Sequence, residues 1–180
     1  MKKYLTIKMI TTNALICALY VVLTLLTGNW AYFGGTLNIR LGELLYLFVF
    51  FNPSYTLGVT LGCFISNIIS LYGWPDMVLG TGATLLACLS IVLISKTIKN
   101  LFLASLMPVI FNATIVPIVI YLYDMTVPLH SFYWTSFMWV GLGELIVSVC
   151  LAYPLFMILT KKYGGFYKLI SATTALDYKW

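Results

Sequence analysis

The stretch Ile39-Arg40-Leu41-Gly42-Glu43-Leu44-Leu45-Tyr46-Leu47-Phe48 places two charged residues at the start of an apolar segment. Arg40 is the only arginine in a chain of 180 residues that is 62% hydrophobic and 8% charged. An ionisable side chain in the middle of a membrane helix costs about 2.5–3.5 kcal/mol on insertion scales, and such residues commonly mark functional sites. Arg40 and Glu43 are therefore the first candidates for a binding site.

The composition around this stretch indicates an all-α integral membrane protein. Several apolar segments have the roughly 20 residues needed to cross the hydrocarbon core. We expect one transmembrane domain over residues 1–180, built as a bundle of six transmembrane helices. Their expected bounds are about 7–27, 39–51, the turn at 52–53 to 71, 76–95, 103–123 and 136–160.

The lysines predict how this bundle is oriented. With six spans, every lysine falls on one side, and loops rich in lysine and arginine mark the cytoplasmic side. Both termini are then cytoplasmic, and Arg40 is the one basic residue of the outer half. Since no rule of topology places an arginine there, its position favours a functional role.

Further acidic residues join Arg40 and Glu43 in the outer half. Asp76 opens the fourth predicted helix, and Glu144 lies about two turns into the sixth. Structural alternatives exist for each of these residues. Arg40 and Glu43 fit an ion pair at i,i+3, Asp76 fits a charge at a helix N-terminus, and Glu144 fits a protonated or Arg40-paired side chain.

Amide and aromatic side chains extend the candidate site. Asn67 and Asn112 lie in the third and fifth predicted helices, where amides also form hydrogen bonds between helices. Trp74, in the turn before the fourth helix, belongs to a set of outer aromatics. These fit either an interfacial belt or stacking faces for a planar ligand.

Several chemistries have no motif in the chain. It contains neither the GxxxxGK[ST] phosphate loop nor the HExxH zinc motif. Its cysteines form no CxxC pair, and the only histidine, His130, falls in a predicted lysine-free outer loop without an obvious catalytic partner. We therefore expect no catalytic residues, no metal site, no cofactor and no nucleic-acid partner.

Small residues on the first helix form a different kind of candidate. Ala14 and Ala18 are four residues apart and predict a helix face that another helix can approach closely. That helix is either a neighbour within the bundle or a partner membrane protein.

Taken together, these features resemble the substrate-binding S components of energy-coupling factor (ECF) transporters, and within them the QueT family of queuosine-precursor importers. The resembling stretches are residues 39–53, 58–67, 76–85, 108–113 and 143–145. The resemblance implies a multi-pass protein of a prokaryotic cell membrane, surrounded by lipid. It also implies a transmembrane T component, docked by Ala14 and Ala18, and two ATPase subunits that supply the missing ATP site.

The resemblance implies a 7-deazaguanine ligand, such as queuine or its aminomethyl precursor. Its N1–H and 2-amino groups form a donor pair that one carboxylate, of Glu144 or Glu43, can accept. The ring carbonyl needs a donor, and the ring faces can stack on an aromatic side chain. The further implied contacts are Arg40, Asn67 or Asn112 for the carbonyl, Trp74 for the ring, and Asp76 for an amine arm.

Three alternatives stay open at this point. One is an S component for another vitamin, such as thiamin, riboflavin or folate. Another is a membrane assembly protein without a transport role. The third is an intramembrane enzyme, which would need a nucleophile or metal set that the sequence does not contain.

Overall fold

A computed structural model describes residues 7–28, 38–123 and 129–162 of the chain, without the side chains of residues 8 and 129–131. The predicted first loop falls mostly outside the described residues, as do the basic tail and the side chain of His130. The described residues form six helices and no strand. They are α1 (Ile7–Leu26), α2 (Leu41–Phe51), α3 (Tyr55–Asn67), α4 (Asp76–Thr97), α5 (Leu101–Tyr123) and α6 (129–162).

Four of these helices contain segments long and apolar enough to cross a membrane: Met9–Leu26, Asp76–Thr97, Leu101–Tyr123 and Phe132–Lys162. The other two are shorter, because α2 consists of a 3-10 turn of 5 residues followed by 6 α-helical residues, and α3 has 13 residues. A membrane protein made of helices is confirmed, whereas six full membrane spans are not. The short length predicted for α2 agrees with the structure.

Two helix boundaries differ from the prediction. α3 ends at Asn67 and not near residue 71, because the backbone tightens into successive turns in which Ser70 N donates to Asn67 O. Gly73 follows with φ of 62°, a left-handed conformation that favours glycine. α6 starts at residue 129 and not at 136, and it widens to a π-helix over Leu145–Ala152.

The core of the bundle is built around α2. Leu45–Phe51 is buried except for Phe48, which is partly buried. Phe51 stacks on Phe156 of α6 with ring centroids 5.8 Å apart, and Phe48 meets the same ring edge-on at 4.9 Å. A helix that is apolar all round is stable when neighbouring helices enclose it. This enclosure holds the charged start of α2 inside the protein.

α1 packs closely along α3 through Gly58 and Gly62, two glycines four residues apart, a spacing that favours close helix packing. Gly58 N donates to Asn13 Oδ1 at 2.8 Å, and a Cβ at Gly62 would lie 2.6 Å from Tyr20 Cβ. Asn13 of α1 contacts Gly58 of α3, and Tyr20, later in α1, contacts Gly62, later in α3. The two helices therefore run in the same direction.

The helix directions define two ends of the bundle. The arginine end holds Arg40 at the start of α2 and Asp76 at the start of α4, which are in contact. α4 runs from there to Thr97, and the start of α5 packs beside α6 where Phe102 meets Tyr153. The opposite lysine end therefore carries the exposed side chains of Lys96, Lys99, Lys161 and Lys162.

Candidate functional site

Arg40 is the centre of a buried polar network at the arginine end. Its Nη2 lies 2.9 Å from Asp76 Oδ2, and its Nη1 donates to Asn67 Oδ1 at 3.0 Å. Asn67 Nδ2 donates to the backbone oxygen of Asp76, and Ser70 Oγ lies 2.6 Å from Asp76 Oδ2. This arginine network, formed by Arg40, Asn67, Ser70 and Asp76, joins the start of α2, the end of α3 and the start of α4.

The ion pair of Arg40 and Asp76 is a contact that the sequence interpretations of these two residues did not include. Arg40 precedes the 3-10 turn in an extended conformation, with φ of −121° and ψ of 102°. Its guanidinium therefore reaches across to α3 and α4, beyond the helix-surface geometry of an i,i+3 pair with Glu43. Asp76 does begin α4 as predicted, but its carboxylate is 0% exposed and neutralised by Arg40.

The second polar group consists of two glutamates that meet on one amide, and we call Glu43, Glu144 and Asn112 the carboxyl pair site. Asn112 Nδ2 donates to Glu144 Oε1 and lies 3.4 Å from Glu43 Oε1. Ser148 Oγ lies 3.4 Å from Glu144 Oε2. The side chains of Glu43, Asn112 and Glu144 are each 3% exposed. Glu43 Oε2 has no hydrogen-bond partner among the described residues.

The glycine before each glutamate explains why both glutamate side chains point into the bundle. Glu43 and Glu144 both follow a glycine, in the repeated tetrapeptide Leu-Gly-Glu-Leu. A Cβ at Gly42 would lie 2.8 Å from the backbone oxygen of Tyr20, and one at Gly143 would overlap the backbone oxygen of Asn38. Since only glycine fits these contacts, each backbone approaches its neighbour closely and directs the next side chain into the bundle.

Trp74 is the one predicted site residue that lies outside both groups. It is 69% exposed, so its place as a stacking surface for a ligand stays a prediction. The structure also adds residues that the sequence reasoning missed, namely Tyr20, Ser70 and Ser148. For Ser148 a signal existed, because a serine four residues after Glu144 lies on the same helix face.

The site as a whole is rich in acceptors. Three carboxyl groups are buried here, on Glu43, Asp76 and Glu144, and Arg40 pairs with Asp76. Among the described residues, the buried carboxyl groups of the site therefore outnumber its buried cations by two. Two carboxyl oxygens, Glu43 Oε2 and Asp76 Oδ1, have no hydrogen-bond partner in the described part of the chain. Buried acceptors without a partner are uncommon in folded proteins. A ligand that presents several N–H donors or a positive charge would satisfy them.

Similar sequences occur among known proteins. The family model described as QueT transporter matches residues 10–161. Queuosine precursor transporter QueT of Lactococcus lactis subsp. cremoris (strain MG1363) is 42% identical over 76 residues, which are 42% of this chain and 44% of that protein. The aligned part thus spans less than half of this relative. No solved structure matches the chain.

Proposed function

Because the chain belongs to the QueT transporter family, we propose that it is the substrate-binding S component of an ECF transporter that imports a queuosine precursor. The observation that carries this proposal is the family match over residues 10–161. The name of the L. lactis relative supports the same substrate. The protein is a transporter component and not an enzyme.

The carboxyl pair site is the proposed recognition element for the base. A 7-deazaguanine presents N1–H and a 2-amino group side by side, and a carboxylate accepts such a donor pair through two strong hydrogen bonds. Glu43 and Glu144 supply buried carboxylates for this edge, and Glu43 Oε2 has an unused acceptor. Either queuine or its aminomethyl precursor carries this edge, and an amine arm would add a positive charge to a site with excess carboxyl groups.

The arginine network has a positioning role in this proposal. Arg40, Asn67 and Asp76 are bound to one another, so the contacts with the ligand carbonyl and amine arm that the resemblance implied for them are less favoured by the geometry. The network fixes the start of α2 and thereby the place of Glu43. Trp74 remains a proposed stacking surface near the arginine end.

Energy for transport would come from partner proteins. The sequence has no phosphate loop, and we propose that a transmembrane T component and two ATPase subunits complete the transporter. Ala14 and Ala18 are exposed on α1 and line a groove of about 640 Å³ between α1 and α3. Small residues on an exposed helix face allow close approach of a second membrane helix, which supports this groove as the T-component contact.

A thermal-shift assay on the purified chain tests the proposed substrate. A ligand at about 100 times its Kd stabilises a protein by about 2.7 kcal/mol, which corresponds to a rise in Tm of about 5–10 °C for a chain of this size. Queuine and its aminomethyl precursor should raise the Tm, whereas thiamin, riboflavin and folate should not. A shift with one of these vitamins, or none with either deazaguanine, would contradict the proposal.

A conservative substitution tests whether the ligand-induced rise in Tm depends on the carboxyl pair site. Glu144→Gln should weaken binding about 10- to 100-fold, because an amide NH₂ would face the donors of the ligand inside a dry site. Thr114→Val is the matched control, since Thr114 is exposed on α5 and bonds only within its own helix turn and to Tyr133. Equal affinity of the Glu144→Gln variant and the parent chain would remove Glu144 from the site.

A further inference from the structure

Tyr20 of α1 carries a buried hydroxyl that the fold does not satisfy. The side chain is 0% exposed, and Oη has no hydrogen-bond partner among residues 7–28, 38–123 and 129–162. A buried hydroxyl without a partner destabilises the fold, and a phenylalanine would fill the same space without that penalty. Most buried polar atoms in native proteins are paired, so this one needs a reason.

Tyr20 lies at the carboxyl pair site, between α2 and α3. A Cβ at Gly42 would lie 3.1 Å from Tyr20 Cδ1, so the ring packs against the backbone just before Glu43. Its hydroxyl is close enough to Glu43 and Arg40 to interact with both electrostatically. The Cys63 thiol lies beside the hydroxyl, but sulfur is a weak acceptor and forms no regular hydrogen bond with it. The unsatisfied hydroxyl therefore belongs to the same site as the unsatisfied Glu43 Oε2.

The hydroxyl also adds a hydrogen-bond donor beside the acceptor oxygens of the carboxyl pair site. Arg40 Nη1 and Nη2 donate to Asn67 and Asp76, and Asn112 Nδ2 donates to the two glutamates. In its ionised form a carboxyl group only accepts hydrogen bonds. A donor beside acceptors complements a ligand edge on which a carbonyl oxygen stands next to N–H groups.

We infer that Tyr20 determines specificity, donating its hydroxyl proton to the ring carbonyl of the 7-deazaguanine while Glu43 Oε2 accepts from the adjacent N–H. This inference rests on the proposed function. With Tyr20, the site recognises both the carbonyl acceptor and the neighbouring N–H donors of the base. The carboxyl pair site alone recognises only the donors. A base with an amino group in place of the carbonyl has no hydrogen on N1, so its N1 lone pair would face the Glu43 carboxylate and the base would bind more weakly.

Substitution of Tyr20 by phenylalanine separates recognition from stability. Tyr20→Phe should bind queuine about tenfold more weakly in isothermal titration, because the ligand carbonyl loses its partner. The Tm of the ligand-free protein should stay equal or rise, since an unsatisfied hydroxyl is removed. Tyr55→Phe is the matched control, because Tyr55 is also buried, at 3% exposed, but lies at the start of α3, where its ring meets Phe48 edge-on. That variant should keep the affinity for queuine within about twofold.

A 6-thio analogue of the base gives an independent test on the unmodified chain. Sulfur accepts hydrogen bonds weakly while N1–H remains, so the analogue should bind about tenfold more weakly than the oxygen base. Its affinity should fall little further in Tyr20→Phe. The role of Tyr20 is overturned if the thio and oxygen bases bind the parent chain equally, or if Tyr20→Phe keeps full affinity for queuine. The proposed function fails separately if the parent chain binds neither base.

Discussion

Gly80 and Gly82 lie one turn inside α4 and differ in what surrounds them. A Cβ at Gly80 would overlap Asp76 Oδ1 and lie 3.1 Å from Asn67 Nδ2. A Cβ at Gly82 would have no atom of another part of the chain within 4 Å. The arginine network therefore depends on the absence of a side chain at Gly80, and the pair offers a test in which only the packing differs.

Gly80→Ala should lower the Tm of the ligand-free protein by about 5 °C or more, because the added methyl displaces Asp76 from Arg40 and disturbs a buried ion pair. Gly82→Ala should leave the Tm unchanged or raise it, since alanine favours a helix over glycine by about 1 kcal/mol. Differential scanning fluorimetry of both variants checks this. The argument for tight packing at Gly80 fails if both alanines have the same effect.

At the residue scale, burial was the property most accessible from the sequence. A polar side chain in an apolar helix must find a polar partner, and the structure buries all but one of the predicted site residues in two hydrogen-bonded groups. These buried residues are Arg40, Glu43, Asn67, Asp76, Asn112 and Glu144. The partners were not predictable, because they depend on which helices are neighbours. Tyr20 and Ser148 were missed because hydroxyl groups are common in membrane helices, where they often bond to their own backbone.

Arg40 holds three helix ends together, namely the start of α2, the end of α3 and the start of α4. Arg40→Gln leaves Asp76 buried without its cation, and breaking a buried ion pair from one side costs about 3–5 kcal/mol. The Tm should fall by about 10 °C. Adding Asp76→Asn should recover much of this loss, because it removes the unpaired charge.

A double-mutant cycle makes the comparison quantitative. The Tm values of Arg40→Gln, Asp76→Asn and the double variant should be strongly non-additive, since the two side chains are in contact. Additive losses would mean that the ion pair is not what couples α2 to α4.

Substitutions on the exposed face of α1 should reduce uptake without reducing ligand binding. If the proposed function holds, Ala14→Leu with Ala18→Leu should abolish uptake of a queuosine precursor by cells, because the larger side chains would prevent close approach of the proposed T component. Ligand binding by the purified chain should remain, since both alanines are exposed and lie away from the buried site. Cys150→Leu, a similar enlargement on the exposed surface of α6, is the control and should leave uptake intact.

Hydropathy predicted the positions of the helices more accurately than their lengths. The apolar runs of α1, α4, α5 and α6 gave recognisable spans, because a long apolar segment has few alternatives to a membrane helix. The end of α3 was misplaced, since Ile68 and Ile69 continue the apolar run after Asn67 has turned toward Arg40. The π-helical stretches in α4 and α6 leave no mark in hydropathy.

For the whole molecule, the separation of the arginine end from the lysine end predicts its orientation in the cell. Leu71→Cys at the arginine end should react with a membrane-impermeant maleimide on intact cells. Thr97→Cys at the lysine end should react only after the membrane is permeabilised. Both positions are exposed, and the parent chain, with its own cysteines, measures the background. Labelling of Thr97→Cys on intact cells would reverse the predicted topology.

The enclosure of α2 has a consequence for how the chain is made. A short helix that begins with an arginine and carries a glutamate gains little by entering lipid alone, and its apolar surface is covered by helices on both sides of it in the sequence. The counter-charge of Arg40 is Asp76, which the ribosome adds 36 residues later. α2 therefore settles in its final place only after α3 and the start of α4 have been synthesised. We therefore expect α1 to α4 to integrate into the membrane together, and a nascent chain stopped before residue 76 should leave α2 accessible to chaperones and proteases.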